Sequence, residues 1–124
     1  MRLLLDTHVV LWWRADSRRL GRVARRTIAE ADIVWVSAVS GWEIAIKLAL
    51  GKLRLDESFA AMVKAAQFEE LGLTLRHAEQ LIALPAHHTD PFDRMLVAQA
   101  QAESVTLVTH DRQLQPYDVP IVWV

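Results

Sequence analysis

Short apolar runs alternate along this chain with longer segments in which apolar residues recur at helical spacing. Short runs rich in Leu, Ile and Val are typical of strands buried on both faces of a parallel sheet, and the segments between them are typical of the helices that cover it. The predicted strands cover residues 2–5, 33–36, 73–75, 106–108 and 120–123, and the predicted helices cover residues 7–15, 18–30, 39–50, 57–70, 76–84 and 91–103. This alternation predicts an α/β fold with a central parallel sheet.

Length and composition predict one folded domain. The chain has 124 residues, of which 52% are hydrophobic and 23% are charged, a balance typical of a globular protein with its own core. We therefore expect a single domain over residues 1–124. The longest purely apolar stretch covers residues 9–13, far short of a membrane span, and Asp6 interrupts the apolar start before it can act as a signal peptide. These features predict a cytoplasmic protein without a membrane segment.

Cap residues and charges refine this prediction. The predicted helix N-caps are Ser17, Ser40, Asp56 and Asp90, and the predicted helix ends are Gly51 and Gly72. The net charge is −1, so the chain lacks the overall basic charge typical of many nucleic-acid-binding proteins. Arginines on the predicted helix over 18–30 can contact phosphate or form a solvated face, and the sequence leaves both possibilities open.

Four acidic residues are predicted to lie at the same edge of the sheet. Asp6 directly follows the first predicted strand, and Asp111 closely follows the fourth. Glu43 lies near the start of the helix after the second strand, and Asp93 lies in the first turn of the last predicted helix. Because ligands bind beyond the carboxyl ends of the strands in open α/β sheets, we expect these carboxylates to meet there.

A cluster of carboxylates predicts a metal site. Such groups repel one another unless protons or cations neutralise them. The chain has no cysteine, so a metal here has only oxygen and imidazole ligands, and three or four carboxylates suit a hard divalent cation such as Mg²⁺ or Mn²⁺. One or two such ions can activate a water and stabilise the leaving oxygen in phosphodiester cleavage. The predicted catalytic and metal-binding residues are Asp6, Glu43, Asp93 and Asp111.

Each acid also has a structural explanation. Asp6 can cap the helix that follows the first strand. Ser40 and Glu43 match a capping box, and Glu43 and Lys47 match a helical ion pair. Asp111 lies in a polar loop of the kind in which acidic residues often form turns. The metal site is therefore favoured by the four acids together and not by any one of them.

Residues beside the acids offer further chemistry. His8 and His110 can face a substrate phosphate or move a proton, but the preferred interpretation of all five histidines is surface polarity. No pair of histidines has the helical spacing of a zinc site. Thr7 and Thr109 flank the acids, and they are expected either to orient them through hydroxyl hydrogen bonds or simply to cap helices.

The motifs that carry these acids resemble those of the PIN-domain ribonucleases, in particular the VapC-like toxins of type II toxin–antitoxin pairs. The resemblance rests on Leu-Leu-Asp-Thr-His at 4–8, Ser-Ala-Val-Ser-Gly-Trp-Glu-Ile-Ala-Ile-Lys at 37–47, Gly-Lys-Leu at 51–53, Asp-Pro-Phe-Asp-Arg-Met-Leu-Val-Ala-Gln-Ala at 90–100 and Leu-Val-Thr-His-Asp at 107–111. Each motif alone has low specificity, but in this order they span almost the whole chain. The resemblance implies a three-layer α/β/α sandwich, and it places the four acids on the acidic positions of the family.

The resemblance also implies a function. Proteins of this kind are endoribonucleases that cleave RNA with a metal-activated water to leave a 5′-phosphate, and they typically form homodimers that a cognate antitoxin silences. Either Trp12 or Trp13 is expected at a dimer or antitoxin surface, because both can hardly be buried on one helix. The alternative is a catalytically inactive PIN-like module that binds RNA or protein, although the presence of all four acids argues against it.

Overall fold

The computed structural model describes residues 1–124 and contains five strands and six α-helices. The strands are β1 (Arg2–Leu5), β2 (Ile33–Ser37), β3 (Glu69–Leu71), β4 (Thr106–Thr109) and β5 (Ile121–Trp123). The helices are α1 (Thr7–Arg14), α2 (Arg22–Ala29), α3 (Ala38–Ala49), α4 (Phe59–Ala65), α5 (Leu75–Ile82) and α6 (Pro91–Glu103), and a 3₁₀ helix covers Arg112–Leu114. None of these helices combines the length and the apolar character needed to cross a membrane.

The five strands are parallel and lie in the order β3-β2-β1-β4-β5. From β1 the chain moves outward through β2 to β3, and it then returns to place β4 on the other side of β1. The boundary between β1 and β4 is therefore the point where the strand order reverses, which is where open α/β sheets bind ligands. Asp6 follows β1 at this boundary, and its N–H donates to the carbonyl of Val108 in β4 (2.9 Å).

Helices cover both faces of the sheet. Leu3 and Leu5 pack with apolar residues of α1 and α2 on one face, whereas Leu4 packs with residues of α3 and α6 on the other. All three leucines are fully buried, and each such side chain contributes about 1.5–3 kcal/mol of burial free energy. The predicted three-layer α/β/α sandwich is confirmed, with a core on each side of the sheet.

The third strand was wrongly predicted. Residues 73–75 lie in the turn before α5 and at its first residue, and the strand is instead Glu69–Leu71. The helix before it ends at Ala65, because Gln67 adopts a left-handed conformation (φ 61°) that no helix continues through. Gly72 therefore follows a strand and ends no helix. Strand β3 lies at the edge of the sheet, and only its last residue, Leu71, is buried. Its sequence therefore lacks the apolar run that marks a buried strand.

Some of the predicted caps are confirmed and others are wrong. Asp90 caps α6 as predicted, and Gly51, at φ 68°, follows the end of α3 as predicted. Two other predicted N-caps are wrong. Helix α3 begins directly after β2, so its N-cap is Ser37 and not Ser40. Helix α4 begins two residues later than predicted, so its N-cap is Ser58 and not Asp56.

The arginine-rich segment forms a shorter helix than predicted. α2 begins only after Gly21, and Ser17 instead accepts the N–H of Arg19 in the preceding turn (3.2 Å). Arg25 is partly buried, and its guanidinium donates to the carbonyl of Ser17 (3.1 Å). Because Arg18 precedes the helix and Arg25 holds the preceding turn, the arginines do not form a single helix face for phosphate.

Candidate active site

Asp6 is held at the end of β1 through both of its carboxylate oxygens. Oδ1 accepts the backbone N–H of His8 (3.0 Å) as the N-cap of α1, and Oδ2 accepts the hydroxyl of Thr109 at the end of β4 (2.6 Å). Burial alone would raise the pKa of Asp6, but the hydrogen bonds from His8 and Thr109 outweigh it and lower that pKa. The carboxylate of Asp6 in turn raises the pKa of His8. Asp6 is therefore ionised and fixed in orientation.

Glu43 lies in the first half of α3 and is 7% exposed. Its Oε2 lies 3.0 Å from Nζ of Lys47, so the predicted ion pair is present. The predicted capping box is absent, because the hydroxyl of Ser40 accepts a hydrogen bond from Thr7 (2.8 Å) and thereby ties α3 to α1. Oε1 of Glu43 is buried and has no hydrogen-bond partner. Because a buried carboxylate oxygen without a donor or cation is costly, this oxygen marks a place for a cation.

The pKa of Asp93 is raised by burial and by the negative charges of neighbouring carboxylates. Asp93 lies in the first turn of α6, where burial is the main cause that raises the pKa of its carboxyl to about 7. The negative charges of Asp6 and Asp90 raise this pKa as well, and Glu43 adds a smaller effect in the same direction. His88 lowers this pKa, but it offsets only part of the increase. Near neutral pH the carboxyl of Asp93 is therefore partly protonated, and a bound cation would favour its ionised form.

Asp93 and Asp111 are joined by a histidine that the sequence interpretation assigned to the surface. Nε2 of His88 lies 2.8 Å from Oδ2 of Asp111 and 3.4 Å from Oδ2 of Asp93, and its side chain is only 8% exposed. One ligand atom from each of these residues lies within 4.8 Å of the other two, so the three form a possible metal-holding group. The surface interpretation of His88 is wrong, because its ring is enclosed by the loop before α6 and by the carboxylates.

Three of the other four histidines have distinct surroundings. His77 is 1% exposed, so the surface interpretation is also wrong for it: its Nδ1 accepts the N–H of Thr74 (3.1 Å) and helps to cap α5. His8 and His110 are exposed and lie beside Trp12, whose ring centroid is 5.9 Å from that of His8 and 4.8 Å from that of His110. These rings form an aromatic rim next to the acids.

All four predicted acids lie at this edge of the sheet, but only Asp93 and Asp111 share the possible metal-holding group with His88. Asp6 and Glu43 lie outside that group. Asp6 and Asp111 follow adjacent strands, and the charges of Asp6 and Glu43 reach the carboxyl of Asp93. Carboxylate oxygens are the ligands that hard divalent cations prefer. The unpartnered oxygen of Glu43 and the raised pKa of Asp93 both fit a site that is completed by a cation.

Comparison with known proteins agrees with this geometry. A family model described as the PIN domain matches residues 3–120. Ribonuclease VapC22 of Mycobacterium tuberculosis is 35% identical over 126 aligned positions, which cover 95% of this chain and 93% of that protein. Two solved structures share the fold: DNA-bound VapBC from Salmonella typhimurium (TM-score 0.73, 16% identity, 98% of this chain and 97% of that one) and VapBC2 from Rickettsia felis bound to a promoter DNA fragment (TM-score 0.72, 12% identity, 98% of both chains). The chain belongs to the PIN-domain family.

Proposed function

We propose that this protein is a metal-dependent endoribonuclease and the toxin component of a toxin–antitoxin pair. The observation that carries the proposal is the group of Asp93, Asp111 and His88, with Asp6 and Glu43 close enough to act on the carboxyl of Asp93, where the strand order of the sheet reverses. The ribonuclease name of the 35% identical relative supports RNA as the substrate. We assign the binding of Mg²⁺ or Mn²⁺ to Asp6, Glu43, Asp93 and Asp111.

The chain's own residues hold these acids in place. When bound, a divalent cation at such carboxylates supplies an activated water and stabilises the charge that develops on the phosphate. Thr109 and the N–H of His8 fix both oxygens of Asp6. Asp90 accepts the N–H of Asp93 (3.1 Å) and so fixes the turn that carries this acid. The site is therefore largely organised before RNA arrives, which is what efficient electrostatic catalysis requires.

Cations at the rim offset the negative charge of the pocket for an incoming RNA. The ammonium of Lys47 adjoins Glu43, and the guanidinium of Arg19 lies 5.6 Å from the ring centroid of Trp12. His8, with its raised pKa, lies on the same side. These groups are suited to contacts with phosphate oxygens, which position a nucleic acid without reading its bases.

The antitoxin and the homodimer belong to the same proposal. A basic side chain of an antitoxin would pair with the carboxylates at this edge and block access of a cation. For the homodimer we assign the apolar strip of Trp42, Ile46 and Leu50, which follow one another at helical spacing along α3 and its C-cap and are 60%, 37% and 62% exposed. Trp12 and Trp13 are both half-buried, so this strip is the more exposed apolar surface.

Cleavage of RNA by the purified chain tests the proposal. End-labelled RNAs, structured and unstructured, are incubated with Mg²⁺, with Mn²⁺ or with chelator, and the wild type is compared with Asp6→Asn. Asparagine is a good N-cap, so this variant keeps the hydrogen bond to His8 while it removes the charge. Asp32→Asn is the matched control, because Asp32 is exposed and pairs only with the N-terminal amine (2.6 Å).

The expected result is metal-dependent cleavage by the wild type and by Asp32→Asn, and none by Asp6→Asn. RNA binding without cleavage under every metal condition, unchanged in Asp93→Asn, would contradict the proposal and favour the inactive binding module. Cleavage that persists equally in chelator would contradict the assignment of the four acids to a metal.

A further inference from the structure

His88 lies between two of the carboxylates assigned to the metal. Its Nε2 is within hydrogen-bond distance of Asp111 (2.8 Å) and close to Asp93 (3.4 Å). This position alone allows two different roles. The ring can be a third ligand that offers its Nε2 lone pair to the cation, or it can be a donor whose Nε2–H holds the carboxylates.

The other ring nitrogen distinguishes the two roles. Nδ1 of His88 accepts the backbone N–H of Asp90 (3.0 Å), so it carries no proton. A neutral imidazole has one proton, which must then lie on Nε2, where it faces the carboxylates. A metal on Nε2 would instead require the proton on Nδ1, where it would meet the N–H of Asp90 head-on. Metal-binding histidines normally donate their second N–H to an acceptor, whereas here the second nitrogen faces a donor.

The loop around His88 is anchored to the rest of the fold. The N–H of His88 donates to Oη of Tyr117 (2.9 Å), whose side chain is 4% exposed, and the ring of His87 packs on the same tyrosine with centroids 5.0 Å apart. Asp90, which supplies the N–H to Nδ1, is also the N-cap of α6. The ring is therefore anchored by its own backbone and by the helix that carries Asp93.

Asp111 depends on His88 for the position of one of its two carboxylate oxygens. It lies in the loop after β4, where its Oδ1 accepts the N–H of Gln113 (3.0 Å). Only the contact with His88 fixes its Oδ2. A carboxylate can accept a hydrogen bond and still offer a lone pair to a cation, because its two oxygens carry about four acceptor sites.

We infer that His88 is a positioning residue that donates from Nε2–H to Asp111, and beside it to Asp93, and that it is not a metal ligand. The inference rests on the proposed function, because it assigns a task to a residue of the same metal site. It also explains why a buried imidazole lies among acids without a histidine spacing typical of metal sites.

Nitrogen NMR of the ring tests the inference directly. Long-range ¹H–¹⁵N spectra of the full chain are recorded at alkaline pH in chelator and again with saturating Mg²⁺, with His88→Gln used to assign the signals. The expected result is a protonated Nε2 and an unprotonated Nδ1 in both spectra. A proton on Nδ1, or a transfer of the proton from Nε2 to Nδ1 when Mg²⁺ is added, would overturn the inference.

Binding of Mn²⁺, measured from the electron paramagnetic resonance of the free ion, tests the same point without RNA. Glutamine keeps an N–H donor near the place of Nε2, so His88→Gln is expected to bind Mn²⁺ nearly as well as the wild type. His88→Ala loses the donor and is expected to bind about 10–100-fold more weakly, the usual effect of removing a residue that orients a ligand. Asp32→Asn is again the control, because Asp32 is exposed and pairs only with the N-terminal amine.

The outcomes separate this inference from the proposed function. Equal loss of Mn²⁺ affinity in His88→Gln and His88→Ala, with a wild type that binds, would overturn the role of His88 alone. A wild type that binds no Mn²⁺ would overturn the metal site and the role of His88 with it. Circular dichroism of each variant shows whether it is folded, and the spectra of the unaltered protein test the tautomer even if a variant is not.

Discussion

Replacing Asp93 by asparagine should stabilise the metal-free protein at neutral and alkaline pH while abolishing its activity. The folded protein holds the proton of this carboxyl up to a pKa of about 7, against an ordinary value of 3.8. The unfolded chain releases the proton near the ordinary value, so folding costs more as the pH rises from 3.8 to about 7. Three pKa units correspond to about 4 kcal/mol, and the carboxyl is 18% exposed, so this is the upper limit of the effect.

Urea unfolding in chelator measures this effect. The free energy of unfolding of Asp93→Asn minus that of the wild type is expected to increase by roughly 3 kcal/mol between about pH 5 and pH 8. In this range the unfolded chain has already released the proton, whereas the folded chain keeps it up to about pH 7. Asp118→Asn is the control, since Asp118 is exposed and its replacement should leave the pH dependence unchanged. A difference that stays flat, or that falls with pH, would refute the interpretation that Asp93 is buried among like charges.

Addition of Mg²⁺ should stabilise the wild type more than Asp93→Asn, the opposite of the result expected in chelator. A cation that binds only the folded state stabilises it by about 2.7 kcal/mol at a concentration 100-fold above its dissociation constant. The wild type should gain this stability at alkaline pH, and Asp93→Asn should gain much less. Equal stabilisation of both proteins would show that the cation binds elsewhere.

Two further predictions test single hydrogen bonds, and a third tests the proposed dimer surface. Thr109→Val removes the hydroxyl that donates to Oδ2 of Asp6 (2.6 Å) and should lower the free energy of unfolding in urea by about 1–3 kcal/mol. Thr109→Ser keeps this hydroxyl and should not lower it. An equal loss of stability in both variants would contradict the role of this hydrogen bond. Gln99→Met should cost a similar 1–3 kcal/mol in the same assay, because Gln99 is fully buried and accepts the hydroxyl of Ser37 (2.5 Å); an unchanged stability would contradict this. Trp42→Ala should shift the sedimentation of the protein from dimer to monomer without unfolding it, and a wild type that sediments as a monomer would exclude the proposed homodimer.

The positions of Asp6 and Asp111 could be predicted because they follow buried apolar runs. Such runs are the strongest strand signal in a sequence, and the carboxyl ends of parallel strands meet at one edge. The first turn of α6 was equally clear, because Asp90 and the proline after it form a well-known helix start. Where local signals agree with the tertiary fold, the sequence alone is sufficient to predict the position of a residue.

The role of His88 and the position of β3 could not be predicted for a physical reason. His88 acquires its environment from Tyr117 and Asp111, which are 29 and 23 residues away, and nothing in its local sequence encodes these contacts. The edge strand Glu69–Leu71 pairs with β2 although its residues favour other conformations, because the neighbouring strand supplies the hydrogen bonds. Both features depend on long-range contacts and not on local propensity.

The strand order also controls when the protein can become active during its synthesis. Asp6 is oriented by Thr109, which lies 103 positions later in the chain, and β4 must insert beside β1 before that contact exists. A chain still emerging from the ribosome therefore presents its first acid long before the residues that orient and complete the site, and distant parallel pairing is among the slower steps of folding. Ribosome-bound chains that end before β4 should accordingly cleave no RNA, so that the translation machinery is not exposed to an active nuclease until β4 has been made and paired with β1.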